Sequence, residues 1–348
     1  MSLLRPDTID PSGARTLDHR VDPGEAVEAV LGGATLCATD RYASAVTVQT
    51  ALHAALEPPA MDAGHGARRR FRRALREASN RLILPVHAGA IGVERAPTIG
   101  LLSTLYPEPE PVWLPVLDLQ RLGRADTVFR EGVHLAVLGQ RLHPFWGTYV
   151  PTRTEHLELF GTWLSGWTGA RHRAVDVGTG SGVLALMLAK AGFDVVATDT
   201  NPNALHSLQL ELEQRPRSIQ ARQGDLLAGA EGPFDVIVFN PPWLRGDVDE
   251  LLDQALHYED PGLFERFFEQ ASASLAPDGR VVVVFSDIGR LVQPEVPHPL
   301  ETELARGRFT LVDKLRRKVR GAQMGGTRRR TRERVEAWSF ARQPGAGS

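Results

Sequence analysis

Asn240-Pro241-Pro242-Trp243 closes the apolar run Phe234-Asp235-Val236-Ile237-Val238-Phe239, which reads as a buried strand. An Asn-Pro-Pro-aromatic tetrapeptide at a strand's carboxyl end suits the gripping of a planar amino group. The Asn240 side-chain carbonyl and the neighbouring Pro241 backbone carbonyl can each accept one N–H of an NH2 group. Pro241 and Pro242 stiffen the turn and fix where those carbonyls point. The Trp243 ring can stack on the flat group that bears the nitrogen. Taken alone, the tetrapeptide is equally compatible with a strand followed by a Pro-rich turn.

The residues about 60 positions upstream separate the two readings. Ala174-Val175-Asp176-Val177-Gly178-Thr179-Gly180-Ser181-Gly182 leads into Val183-Leu184-Ala185-Leu186-Met187-Leu188-Ala189-Lys190. This is a short strand, a Gly-rich turn and an apolar helix. Glycines let the backbone approach a ligand, and the helix N-terminus points free N–H groups at it. A nicotinamide fingerprint needs glycine at the first, third and sixth positions. Counting from Gly178, the sixth is Val183, and the extra glycine is Gly182. Phe193-Asp194-Val195-Val196-Ala197-Thr198-Asp199 reads as a second strand ending in an acid, where a carboxylate can accept both hydroxyls of a ribose. Thr200 follows, then a helix with Asn201 as N-cap and Pro202 at its first position. Gln223-Gly224-Asp225-Leu226 ends a third segment.

The D-x-G-x-G-x-G form resembles motif I of class I S-adenosylmethionine (SAM) methyltransferases, and the later motifs follow in that family's order. The resemblance runs from about Tyr149 to about Phe340. It is narrower for the NPPY branch of N-methyltransferases, the "methyltransferase small domain" group. That branch includes release-factor glutamine methyltransferases, adenine-N6 methyltransferases and guanine-N2 ribosomal RNA methyltransferases. The resemblance implies a cofactor site of Asp176, Gly178, Thr179, Gly180, Gly182, Asp199, Thr200, Asp225, Leu226 and Asn240. Asp176 would lie by the methionine amino group and Asp225 by the adenine. Tyr149-Val150-Pro151-Thr152-Arg153-Thr154-Glu155 loosely resembles the Pro-Arg-Pro-Glu-Thr-Glu segment of the glutamine enzymes, a helix start that covers the cofactor. Substrate contacts are then expected from Tyr149, Arg153, Asn240, Pro242 and Trp243, and catalysis from Asn240, Pro241 and Trp243. The chain has Trp where the family motif has Tyr, which implies a differently shaped substrate slot.

The 348 residues suffice for two domains, with 40 Lys plus Arg against 42 Asp plus Glu. No global field draws such a chain to nucleic acid or membrane. One cysteine, Cys37, excludes an intramolecular disulfide, and no Cys/His array has zinc spacing. His134, His143 and His156 are scattered and read as structural. No signal-peptide core or membrane-length apolar run is present, so a cytoplasmic, metal-free protein is expected.

The fold expected is α/β: a seven-stranded doubly wound Rossmann-like class I methyltransferase core at 141–343. It follows an additional N-terminal α+β domain at 1–140, a substrate-recognition domain or a scaffold. Within that domain the pattern reads as an Ala-rich helical stretch over 24–56, a basic helix over 67–82, β-like pieces at 82–86 and 98–102, a stiff Pro-Glu connector at 107–111 and an apolar helix over 126–142. In the core, helices are expected at 249–256 and 263–275, a strand at 280–285, and an antiparallel pair at 309–319 and 334–340 around a glycine-rich basic loop. Two readings are open for the Arg clusters 68–81 and 314–334, a solvated face or phosphate contact. The function expected is methyl transfer from SAM to a planar amide or aryl amine nitrogen, such as a glutamine-like amide of a protein or peptide. An RNA base or specialised metabolite as acceptor, and a non-catalytic SAM-binding scaffold, are the alternatives.

Overall fold

The computed structural model describes residues 2–60, 65–151, 153–245, 257–320 and 333–343. They form two compact units, Leu3–Glu131 and a larger one from Gly132 onward.

The smaller unit runs β1 (Arg15–Leu17), α1 (Pro23–Leu31), β2 (Leu36–Ala38), α2 (Tyr42–Ala55), α3 (His65–Ser79), β3 (Leu82–His87), β4 (Ala90–Ile91), α4 (Leu101–Leu105), β5 (Val112–Pro115) and α5 (Val116–Glu131). β1, β2 and β3 are parallel neighbours, and β5 pairs antiparallel with β3. β4 makes a short hairpin with the end of β3. Asp22 caps α1 by accepting the Gly24 and Glu25 N–H groups, with Pro23 in the first turn, where its missing N–H costs nothing. Several local expectations change here. The helical stretch over 24–56 is two helices with β2 between them, because Gly32-Gly33 stops α1 and Leu36 and Ala38 are buried in the sheet. The basic helix ends at Ser79, and Leu82 opens β3, fully buried. Leu101–Leu105 is a short helix rather than a strand, its first N–H bonded to the Asp126 carboxylate. The helix expected over 126–142 is α5, which stops before Gly132 at φ +69°. Residues 133–142 turn back as a hairpin of β6 (Val133–Leu135) and β7 (Gln140–Leu142), at the start of the larger unit.

The larger unit continues with α6 (Glu155–Ser165), β8 (Arg173–Val177), α7 (Val183–Lys190), β9 (Asp194–Asp199), α8 (Pro202–Gln214), β10 (Ile219–Gln223), β11 (Phe234–Phe239), β12 (Leu244–Arg245), β13 (His257–Tyr258), α9 (Leu263–Ser274), β14 (Leu275–Ser286), α10 (Ile288–Val292), α11 (Pro299–Arg306), β15 (Phe309–Lys318) and β16 (Arg334–Arg342). Its seven-stranded sheet has the order β10-β9-β8-β11-β14-β16-β15. The first five strands are parallel and the last two join antiparallel. Period-two side-chain alternation divides the sheet's apolar residues between two cores. Val236, Val238, Val282 and Val284 pack on one face with α6 and α7. Ile237, Phe239, Val281 and Val283 pack on the other with Phe264, Phe267 and Phe268 of α9. Each fully buried Phe or Leu contributes about 1.5–3 kcal/mol. This is the doubly wound α/β core expected, and burial on both faces explains why its strands read as continuous apolar runs. The order reverses between β8 and β11, so a crevice opens beyond their carboxyl ends. The expected helix at 249–256 and the basic loop at 321–332 lie outside the described residues.

Candidate functional site

Beyond β8 the chain enters the glycine turn. Gly180 sits at φ +52° and Gly182 at φ +78°, backbone that side chains with a Cβ rarely adopt. The two serve different ends. Gly180 lines a cavity of about 460 Å³, whereas a Cβ on Gly182 would meet Leu208 Cδ1 at 2.7 Å. Gly182 therefore lets α7 and α8 pack.

Asp176 lies beneath this turn, 1% exposed. Its Oδ2 accepts the Thr179 hydroxyl at 2.7 Å and the Ala185 N–H at 2.9 Å, tying the turn to α7. Burial pushes its carboxyl up to about 7, against those two hydrogen bonds. It does not reach the cavity wall. Asp199, at the end of β9, does. Its Oδ2 accepts the Gly180 N–H at 2.8 Å and its Oδ1 the Asn201 N–H at 2.9 Å. Burial raises this carboxyl, although three backbone N–H groups oppose the rise. Each oxygen keeps lone-pair capacity for a further donor.

Asn201 caps α8 by accepting the Asn203 N–H, and its side-chain amide donates to the Gly147 carbonyl. Asn203 donates in the same way to the Trp146 carbonyl. The two amides fasten the 146–149 segment over the site, and Gly147 and Tyr149 line the cavity. Burial raises the Tyr149 hydroxyl above its ordinary value. Thr179, Thr200, Asp225 and Leu226 line it too. Leu226 holds φ +56°, and its carbonyl accepts the Thr198 hydroxyl at 2.6 Å. Arg266 bridges Asp225 and Asp260 at 3.3 and 3.0 Å.

At the end of β11, Asn240 and Pro242 line the cavity, while Pro241 and Trp243 are not on its wall. The Trp243 indole N–H donates to Asn240 Oδ1 at 3.2 Å, so the ring braces the asparagine from behind. Its other face of contact is His156, edge-on at 5.7 Å between ring centroids. Arg153 also lies off the wall, paired with Glu333 at 2.9 Å. The structure thus brings together Tyr149, Gly178, Thr179, Gly180, Asp199, Thr200, Asp225, Leu226, Asn240 and Pro242 of the expected residues. Asp176, Gly182, Pro241, Trp243 and Arg153 stand behind or beside them.

The titratable wall residues His156, Glu259 and Asp260 are among those the sequence reading did not assign to the site. His156 directly follows the Tyr149–Glu155 segment, so its place in the sequence held the signal. Four described basic residues of the 314–334 cluster are engaged in ion pairs. Lys314 and Arg316 meet Glu336, and Arg317 and Arg320 meet Glu158. Among the described residues no His/Cys/Asp/Glu group is placed to hold a metal, and no helix is long and apolar enough to cross a membrane.

The strand order and the glycine turn define a doubly wound, Rossmann-like α/β fold. The family model of the methyltransferase small domain matches residues 163–293. The chain is 37% identical over 123 residues to a release factor glutamine methyltransferase of Deinococcus radiodurans, covering 32% of this chain and 44% of that protein. It is 32% identical over 156 residues to ribosomal RNA small subunit methyltransferase C of Chromohalobacter salexigens, covering 45% and 41%. Its match thus spans less than half the length of these curated relatives. Among solved structures, a ribosomal protein L11 methylase from Lactobacillus delbrueckii subsp. bulgaricus superposes with a TM-score of 0.41 at 20% identity, over 59% of this chain and 86% of that one.

Proposed function

We propose that this protein transfers a methyl group from SAM to a planar NH2 nitrogen held at Asn240. The observation that carries the reading is one cavity whose wall includes both the glycine turn with Asp199 and the strand-end Asn240. Its volume falls in the range of ligand pockets, roughly 300–1,000 Å³. The residues fit the cofactor. Asp199 has carboxylate lone pairs to offer a ribose diol, Gly178 and Gly180 bring bare backbone to the wall, and Asp225 and Leu226 suit the adenine end. When bound, SAM supplies an electrophilic methyl on a sulfonium.

The rest falls to the chain. Asn240 Oδ1, already holding the Trp243 N–H, keeps a second lone pair for an N–H of the acceptor. By accepting that N–H it would draw the nitrogen towards sp3 character and aim its lone pair, with Pro241 behind it stiffening the turn. Positioning of this kind supplies much of the acceleration in a displacement between two bound partners. The acceptor is best read as a neutral amide or a base edge. Glu259 and Asp260 on the wall repel a phosphate, and the relatives act on protein and on ribosomal RNA by their names.

The test is calorimetric titration with SAM and, separately, NADH, followed by labelled-methyl transfer to peptide and RNA fractions. Micromolar SAM binding without NADH binding is expected. Asn240→Ala is expected to keep SAM affinity within about threefold while losing at least ~10²-fold in transfer. Absence of SAM binding ends the proposal. Loss of SAM binding in Asn240→Ala alone would instead make Asn240 a cofactor contact.

A further inference from the structure

His156 is an anomaly by the rule that buried polar groups find partners. It is 1% exposed, yet neither ring nitrogen has a hydrogen-bond partner among the described residues. Leaving such a group unpaired is destabilising, and a core aromatic would have filled the same space without that cost. The imidazole is also neutral: burial pulls it down to about 4, with Glu155 opposing.

Its position gives the unpaired nitrogens a use. His156 lies on the wall of the same cavity as Asn240 and Pro242. Its ring meets the edge of Trp243, the residue whose N–H occupies one lone pair of Asn240 Oδ1. So the chain that puts an indole donor on its asparagine also sets a free imidazole acceptor beside that indole.

We propose that His156 is a catalytic residue that accepts a hydrogen bond from the acceptor's amino group and takes the proton released on methylation. This rests on the methyl-transfer reading above. In the step, the sulfonium S–CH3 bond breaks as the N–CH3 bond forms. The nitrogen, now bearing an extra positive charge, gives one N–H proton to an imidazole nitrogen, and the imidazolium later yields it to solvent. A neutral imidazole can accept where a protonated one could only donate.

A probe exists that needs no knowledge of the acceptor. Sinefungin carries an ammonium where SAM carries its methyl, whereas S-adenosylhomocysteine has nothing there. The unaltered protein is expected to prefer sinefungin by roughly tenfold, the worth of one charge-assisted hydrogen bond. His156→Phe should erase that preference and leave S-adenosylhomocysteine affinity unchanged. It should also melt at the same or a higher temperature, because no bonded partner is lost. His156→Gln, which keeps an acceptor, should restore part of the preference. An unchanged sinefungin preference in His156→Phe overturns the proposal. So does a variant that fails to fold, if the ¹⁵N imidazole shifts of His156 in the unaltered protein respond equally to both ligands; a response to sinefungin alone supports it. If neither ligand binds, it is the cofactor reading that has failed.

Discussion

Two carboxylates occupy matching places in the two units and meet opposite fates. Asp40 stands two residues past β2 in Ala38-Thr39-Asp40, and Asp199 is the last residue of β9 in Ala197-Thr198-Asp199, each strand parallel to the one that precedes it in the chain. In both, the acid's Oδ2 accepts a backbone N–H from the turn after that preceding strand: His19 at 2.9 Å for Asp40, Gly180 at 2.8 Å for Asp199. The difference is what the donor residue carries. His19 also brings its ring, and Nδ1 lies 2.9 Å from the same Asp40 oxygen. Gly180 brings nothing, and the space becomes cavity wall. For Asp40 burial pushes upward, but hydrogen bonds from Arg41, His19 and Ser44 hold it well below the usual carboxylate range. For Asp199 burial wins and the carboxyl is raised. His19 puts both of its donors on Asp40 Oδ2, and Oδ1 has no partner among the described residues. What separates the two acids is therefore access: a glycine donor leaves Asp199 on a cavity wall, and a histidine donor sets its ring against Asp40.

The strongest way to break this comparison is to exchange the neighbours. Gly180→His imports the N-terminal arrangement and places a side chain at φ +52°. It is expected to weaken SAM binding at least ~100-fold, the worth of two charge-assisted hydrogen bonds. Asp199→Ala should lose about as much, whereas Asp40→Ala should leave SAM affinity within about twofold. Calorimetry on the three variants decides. Equal losses from Asp40→Ala and Asp199→Ala would mean the two acids share a role.

Much of this contrast could be read from sequence on the Asp199 side only. There the strands are long apolar runs, and Gly178-Thr179-Gly180-Ser181-Gly182 has no bland alternative beside Asp176. On the other side β1 and β2 are three residues each, too short for periodicity to separate from the helices around them. Asn201 and Pro202 were legible as a helix start because capping is local chemistry. The place of Trp243 was not. Motif order suggested a stacking platform, but its indole N–H turns back to Asn240, a choice that depends on the wall around it. For His156 the place beside the Tyr149–Glu155 segment was legible, but its burial without partners was not, since that is a property of three dimensions.

Titration sharpens the comparison at a lower energy. Asp176, the buried brace of the glycine turn, is raised from 3.8 to about 7. Between those values the native protein binds more protons than the unfolded chain, so stability falls as pH rises through that window. The loss is at most a few kcal/mol. Asp40, held low, works in the opposite direction: its contribution is present above the unfolded value and is lost as pH falls below it. Urea unfolding of Asp176→Asn and Asp40→Asn at several pH values reads both signs. Asp176→Asn should gain on the unaltered protein between pH ~4 and ~7. Asp40→Asn should trail it at pH ~7, with the gap closing in acid. Two gaps that change in the same sense with pH would show that the opposite shifts of these two carboxyls do not govern stability.

The smallest expected effect lies at Asn240, where saturation is partial by construction. One lone pair of Oδ1 goes to Trp243 and one remains. Trp243→Phe keeps an aromatic ring against His156 but removes that donor. Asn240 then loses a hydrogen bond worth about 0.5–1.5 kcal/mol, and its carbonyl is freer to turn. SAM affinity should not change, because Trp243 is off the cavity wall. Methyl transfer should fall about three- to tenfold, as expected for a brace rather than a contact. A loss of ~100-fold or more would instead put the indole against the acceptor, as a stacking platform requires. No loss at all would mean that the prolines alone hold Asn240 in place.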